Sequence, residues 1–359
     1  IFIKKGLVEA AAGATFGASA GSIAGLTAIG IIYYLNRSTI YYKIRNNPSE
    51  EESTRFIIKK VLLIAVPIVI GAEIMPSMAA IDTSIVLTRL QATGWTYTQA
   101  KVLYGLLSGF CNPLIAFPQI FTQAVAISLV PTISGYFRTK NMLKLQENVK
   151  LGLRTTLIMG FPCALGLFAL GKPILILLYP LQRASAISAV PTLMIMAISV
   201  IFLAIAQTTT GILQGIGKQT LPVKHLFIGA IVKVILAYIL VGIPVINIKG
   251  TAISTMVAYI ITLFLNLRSV KKYTGTVFDF NLTYIRPGVS SVVMGAVAFG
   301  VYKLFNGFTG NTIATGVAII CGVIVYVIMI FFTKAITKEE LVNFPRGDKL
   351  VRILDRFSR

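Results

Sequence analysis

The sequence predicts an all-α polytopic membrane protein with about nine transmembrane helices. Composition, the length of the apolar runs and the alternation of positive charge each lead there. Of 359 residues, 56% are hydrophobic and 13% charged, with a mean hydropathy of +0.82. An ordinary soluble domain carries roughly twice that charged share, and without it the surface cannot be covered in polar side chains. Several apolar runs reach the roughly 20 residues that span a hydrocarbon core of about 30 Å. Soluble enzyme, disulfide scaffold and disordered chain are excluded.

Apolar runs bounded by charge and turn residues fall at 7–35, 57–88, 99–135, 146–170, 186–213, 221–243, 249–267, 285–305 and 311–333. The first carries Gly13, Gly17, Gly21 and Gly25, a small residue at every fourth place. That spacing suits close helix packing in lipid, where packing rather than hydrophobicity drives association. The second and third runs exceed a perpendicular crossing, so they tilt, bend or protrude. Pro67 and Pro76 in one, and Pro113, Pro118 and Pro131 in the other, offer places to bend. Between the first two runs, 36–56 is polar, with Pro48 and the acidic Glu50, Glu51 and Glu52. It reads as a solvated loop or as a linker between two bundles.

Positive charge sets the orientation. Alternate connections and the tail hold 24 Lys and Arg, the opposite side eight, and Lys233 lies inside a span. A three-to-one bias places the C-terminus in the cytoplasm. It also places Ile1 outside, so an odd number of upstream helices is expected. The net charge of +21 is thereby a topology signal with affinity for anionic membrane lipid, and no nucleic-acid partner is expected. Within the tail 335–359, Thr337 and Glu340 fit a capping box. Leu350, Val351, Ile353, Leu354 and Phe357 face away from Lys349, Arg352, Arg356 and Arg359, the pattern of a basic helix lying on a membrane surface.

No catalytic or metal constellation is found. His225 is the only histidine, and Cys111, Cys163 and Cys321 lie in apolar runs without ligand spacing. A histidine-based metal site and a Ser-His-Asp triad therefore cannot be assembled. No phosphate-binding loop is present, so neither a cofactor nor enzymatic catalysis is expected.

Ionisable groups at membrane depth are functional candidates by default. Here they are Glu73 and Asp82 on the second run and Lys233 on the sixth. Arg89, two turns after Asp82, shares its helix face, whereas Glu73 points the other way unless Pro76 rotates the helix between them. Helix rise puts Lys233 about 13 Å above Lys224, Glu73 about 20 Å above Lys60 and Asp82 about 33 Å. Depth makes Glu73 the easier partner for Lys233, but Asp82 stays open, as does snorkelling of Lys233 to the interface. Gln119, Gln123, Gln207, Gln214, Thr208, Thr209, Thr210, Thr251 and Thr255 also recur within spans. Periodicity does not say whether they bond between helices or line a wet cavity.

Several stretches resemble one family. They are Pro67-Ile-Val-Ile-Gly71, Ile81-Asp82, Arg89-Leu-Gln91 with Gly94, Tyr104-Gly-Leu-Leu-Ser-Gly109 and Ser128-Leu-Val-Pro131. Gly211-Ile-Leu-Gln-Gly215, Pro222-Val-Lys with Lys233, Gly250 and the Ala11–Gly25 stretch continue the series. Their order is similar to the stage V sporulation protein B group of polysaccharide-type exporters, relatives of MurJ-type lipid II flippases in the MATE-like MOP superfamily.

The resemblance implies fourteen helices in two facing six-helix bundles plus two more. On that plan 1–35 is the last helix of the first bundle, 36–56 the cytoplasmic linker and 57–270 the second bundle. The two additional helices take 271–334, and five helices are expected upstream. The implied activity is flipping of a lipid-linked peptidoglycan or polysaccharide precursor by alternating access, in spore cortex or cell-wall assembly. Cell-wall synthesis proteins are candidate partners. Some relatives bind a cation through an Asp that Asp82 matches and a polar group that Thr255 matches, but here Lys233 intrudes, with Ala237 a turn later. Membrane depth and the resemblance together make Asp82, Lys233, Glu73, Arg89 and Thr255 pathway candidates, with Lys233 expected to replace the cation. A MATE-type drug or cation antiporter and a non-transporting scaffold for wall synthesis are the alternatives.

Overall fold

The structure, a computed structural model, describes residues 7–46 and 53–335. The chain divides into two compact units, Ile1–Val61 and Leu62–Arg359. Helix α1 (Leu7–Asn46) lies in the first and continues well past the expected end at residue 35. Between Gly30 and Pro48 no glycine or proline interrupts it, and the Asn36 amide donates to Ile32 O at 2.9 Å. Such a bond is tolerated inside a helix, and with no glycine or proline to break it the helix continues. The stretch expected as a polar connection is thus helical up to Asn46 and again from Thr54, and its acidic run lies outside the described residues. The close packing expected along the α1 glycines is not seen among the described residues. A Cβ at Gly17, Gly21 or Gly25 would meet nothing within 4 Å, because small-residue spacing permits a close neighbour without supplying one.

Helix α2 (Thr54–Ala92) has 39 residues, or about 58 Å at 1.5 Å per residue. Helix α3 (Tyr97–Arg138) opens on a capping box in which Thr96 Oγ1 accepts from Gln99 N–H and Gln99 Oε1 from Thr96 N–H. Its irregularity is a π-helical turn at Leu106–Cys111, just before Pro113. The Tyr179 hydroxyl donates to Gly109 O in that turn, a carbonyl whose residue four places on, Pro113, has no N–H to offer.

Four more helices follow, α4 (Met142–Leu178), α5 (Arg183–Gly215), α6 (Thr220–Val241) and α7 (Lys249–Thr274). A last helical stretch, Arg286–Phe332, is broken at Gly310, whose φ of 76° few other residues tolerate. Its halves, α8 (286–309) and α9 (311–332), run antiparallel: Arg286 bonds Lys334 O, Ser290 meets Thr333, and Tyr302 bonds Asn311. Nine helices are therefore present among the described residues, matching the number of apolar runs. Among the described residues, six helical segments, the last of them α8 with α9, are long and apolar enough to cross a membrane.

Helix α5 forms the centre of the second unit and is the most deeply buried span. Its backbone runs so close to α3 that a Cβ at Gly211 would stand 2.3 Å from Ala126 O. It meets α4 through a hydroxyl pair, Thr156 to Thr208, at 2.7 Å, and α7 through the Asn266 amide, which donates to Ala206 O and Thr210 Oγ1. The α8–α9 hairpin lies along α4. Pro162 has no N–H for Ile158 O, and the Tyr326 hydroxyl donates to that carbonyl instead. The tail features at Thr337, Glu340 and 349–359 lie outside the described residues.

Candidate functional site

Helices α2 and α6 run parallel and meet in register. A Cβ at Gly71 would stand 2.8 Å from Val223 Cγ2. One level further, Asp82 Oδ2 accepts from Lys233 Nζ at 2.5 Å. Beyond that, Arg89 Nε donates to Tyr238 O at 3.1 Å and its guanidinium stacks 4.2 Å from the Tyr238 ring centre. Gly242 leaves room for that guanidinium, since a Cβ there would come within 2.4 Å of it. Arg89 therefore rests on the C-terminal turn of α6, where exposed carbonyls favour a cation. Asp82 and Arg89 both face α6, as their seven-residue spacing requires.

The partner that helix rise favours for Lys233 is corrected. Glu73 is exposed, and the carboxylate paired with Lys233 is Asp82. The depth comparison placed Lys60 at the membrane edge. However, α2 is far longer than the bilayer is thick, so no lysine near its start marks that edge.

The pair is almost fully desolvated, with Asp82 7% and Lys233 8% exposed. A small pocket beside Lys233 is walled by Ile74, Met78, Leu226, Ala230, Thr255 and Tyr259 among others. Thr255 from α7 is thus brought to the pair, although its hydroxyl donates to Thr251 O at 2.8 Å. Asp82 Oδ1 is buried with no hydrogen-bond partner among the described residues. Charges held this deep attract strongly but cost much in lost hydration, and an unsatisfied oxygen adds to that cost. The contact holds the pair while leaving it poorly stabilised.

The ammonium of Lys233 sits against Asp82 Oδ2. The arrangement supplies its own positive charge.

A second feature escapes sequence reasoning. A cavity of about 280 Å³ lies among α2, α3, α5, α6 and α7, lined by Gln119, Gln123, Gln207, Gln214 and Thr210 with apolar neighbours. Leu226 and Tyr259 form a wall of both this cavity and the Lys233 pocket. Tyr259 follows Thr255 by four residues, a same-face spacing that could have marked it. The glutamines are visible in the sequence, but which of them converge depends on how α3 and α5 cross.

Residues 110–324 match the family model for the lipid II flippase MurJ. The chain belongs to the MurJ family. Among MurJ relatives, it is 26% identical over 368 residues to the uncharacterized membrane protein YabM of Bacillus subtilis (strain 168), covering 99% of this chain and 66% of that protein. It is 23% identical to stage V sporulation protein B of the same organism, covering 98% of this chain and 66% of the relative. For the Bacillus subtilis lipid II flippase MurJ the identity is 24%, over 75% of this chain and 49% of the relative. The chain thus spans slightly less than two thirds of the first two and about half of the third. A solved structure of lipid II flippase MurJ in its inward closed conformation superposes with a TM-score of 0.52 at 20% identity. It covers 72% of this chain and 51% of its own, and it establishes a shared MurJ fold for this multi-pass membrane protein.

Proposed function

We propose that the protein moves a lipid-linked peptidoglycan or polysaccharide precursor across the cell membrane by alternating access, in spore cortex or cell-wall assembly. The observation that carries the reading is a membrane-embedded, amide-lined cavity beside a buried ion pair, set in the fold of the MurJ family. The cavity offers hydrogen bonds to a polar head group at a depth where lipid offers none. The Asp82–Lys233 pair joins two helices through a contact strong enough to hold and poorly enough satisfied to release, as a two-state element requires.

In this reading α1 closes a first bundle, 57–270 forms a second, 271–334 adds two helices and 335–359 lies on the cytoplasmic membrane surface. The residues between α1 and α2 cross the cytoplasm, partly as the helical extension to Asn46. The 24-to-eight bias of Lys and Arg puts the C-terminus inside. The work done is transport rather than catalysis, driven by an ion gradient or the membrane potential. Cation antiport is disfavoured because the cavity lining shows no carboxylate among the described residues.

The test is leaflet exchange. Vesicles holding the intact protein and a fluorescent lipid II are exposed to a quencher that does not cross the bilayer. Transport predicts that quenching extends from the outer-leaflet share to nearly the whole pool. Quenching equal to that of protein-free vesicles overturns the proposal.

A further inference from the structure

We infer that the glutamine-lined cavity binds the uncharged, N-acetylated sugar portion of the lipid-linked substrate and leaves its diphosphate outside. The inference rests on the flippase reading above and assigns chemistry to particular side chains. Gln119 and Gln123 sit one turn apart on α3, and Gln207 and Gln214 two turns apart on α5, so each helix turns two amides to one side. All four line the same cavity. Thr122 Oγ1 donates to Gln207 Oε1 at 2.5 Å, which fixes that amide and leaves its NH₂ as the group to donate elsewhere. Gln119, Gln123 and Gln214 have no protein hydrogen-bond partner among the described residues. Unsatisfied amides at this depth are costly in lipid and are explained by a space that holds water or polar ligand.

The lining also selects by charge. Among its described residues it contains neither cation nor carboxylate. Lys233 stands behind the Leu226–Tyr259 wall and is committed to Asp82. A diphosphate brought in would lose hydration with no positive charge to compensate, and a cationic drug would meet no anion. Primary amides both donate and accept, as do sugar hydroxyls and acetamido groups. A volume of about 280 Å³ lies at the small end of ligand pockets, roughly 300–1,000 Å³, which suits sugar rings and not a polyprenyl chain.

The experiment compares two probes on the intact purified protein: undecaprenyl diphosphate, and the same lipid bearing an N-acetylated amino sugar. The sugar-bearing lipid is expected to bind about tenfold tighter or more, the fold-change of one net hydrogen bond. Gln123→Leu, at an exposed position, and Gln207→Leu are each expected to shrink that ratio, and together to bring it to about one. Native mass spectrometry in detergent reads both affinities, and the Gln123 variant keeps the test valid should the buried-side change misfold. Equal affinity of the two lipids for the wild type overturns the inference and leaves flipping intact. So does an unchanged ratio in both variants. Failure to bind either lipid overturns the flippase reading as well.

Discussion

Among the described residues, two cations are buried in the second unit, and the groups they meet differ. Arg154 on α4 is 5% exposed and donates to Ala335 O just beyond α9. There the chain turns through Lys334 at φ 51°, and the N–H groups of Lys334 and Ala335 return to Phe331 O and Ile330 O. Arg286 donates to Lys334 O at the same place. Lys233, buried to a similar degree, answers the Asp82 carboxylate between two parallel helices. A helix-end carbonyl is a permanent dipole that cannot be protonated or swung away, whereas a carboxylate can be both. The Arg154 contact ties α4 to the turn after α9, and the Lys233 contact ties α2 to α6 through a group whose charge can change.

The largest effect should come from breaking the buried Asp82–Lys233 pair on one side. Asp82→Ala leaves an uncompensated ammonium and is expected to cost about 3–5 kcal/mol, read as a lowered unfolding temperature in detergent. Asp82→Asn combined with Lys233→Met should recover much of that stability and none of the flipping. Recovery of both would make the pair purely structural. Lys233→Ala further tests whether the ammonium stands in for an ion, by flipping rates with sodium against potassium outside. A newly sodium-dependent rate supports substitution, and identical rates in every ion condition reject it.

An intermediate effect is expected where α4 meets the α8–α9 hairpin. Arg154→Leu loses charge-assisted bonds to the helix end, at about 1.5–3 kcal/mol. Flipping per folded molecule should stay at the wild-type rate. A drop in that specific rate, with the amount of folded protein held equal, would give the Arg154 contact a part in flipping.

The smallest effect should follow Tyr326→Phe, which removes the donor at Ile158 O beside Pro162. Interhelical bonds in membranes average near 0.6 kcal/mol, so a shift of about that size is expected in denaturant unfolding. A loss comparable to that of Arg154→Leu would show that the proline break depends on this hydroxyl.

The sequence by itself determined the membrane class, the nine helices and their approximate limits, because lipid forces backbone hydrogen bonds inside each span and apolar length then reports crossing. It also determined that Asp82 and Arg89 share a face, since 3.6-residue winding needs no neighbour to define it. Ordered motifs pointed to the family for the same reason, being local in the chain. Only the tertiary structure decided that Lys233 meets Asp82 and not Glu73, that Arg154 is buried against the end of α9, and that four glutamines share one cavity. These depend on how far each helix slides and turns against the next, and that register is set by close approaches such as Gly211 on Ala126 and Gly71 on Val223. Periodicity within a single helix carries no information about it.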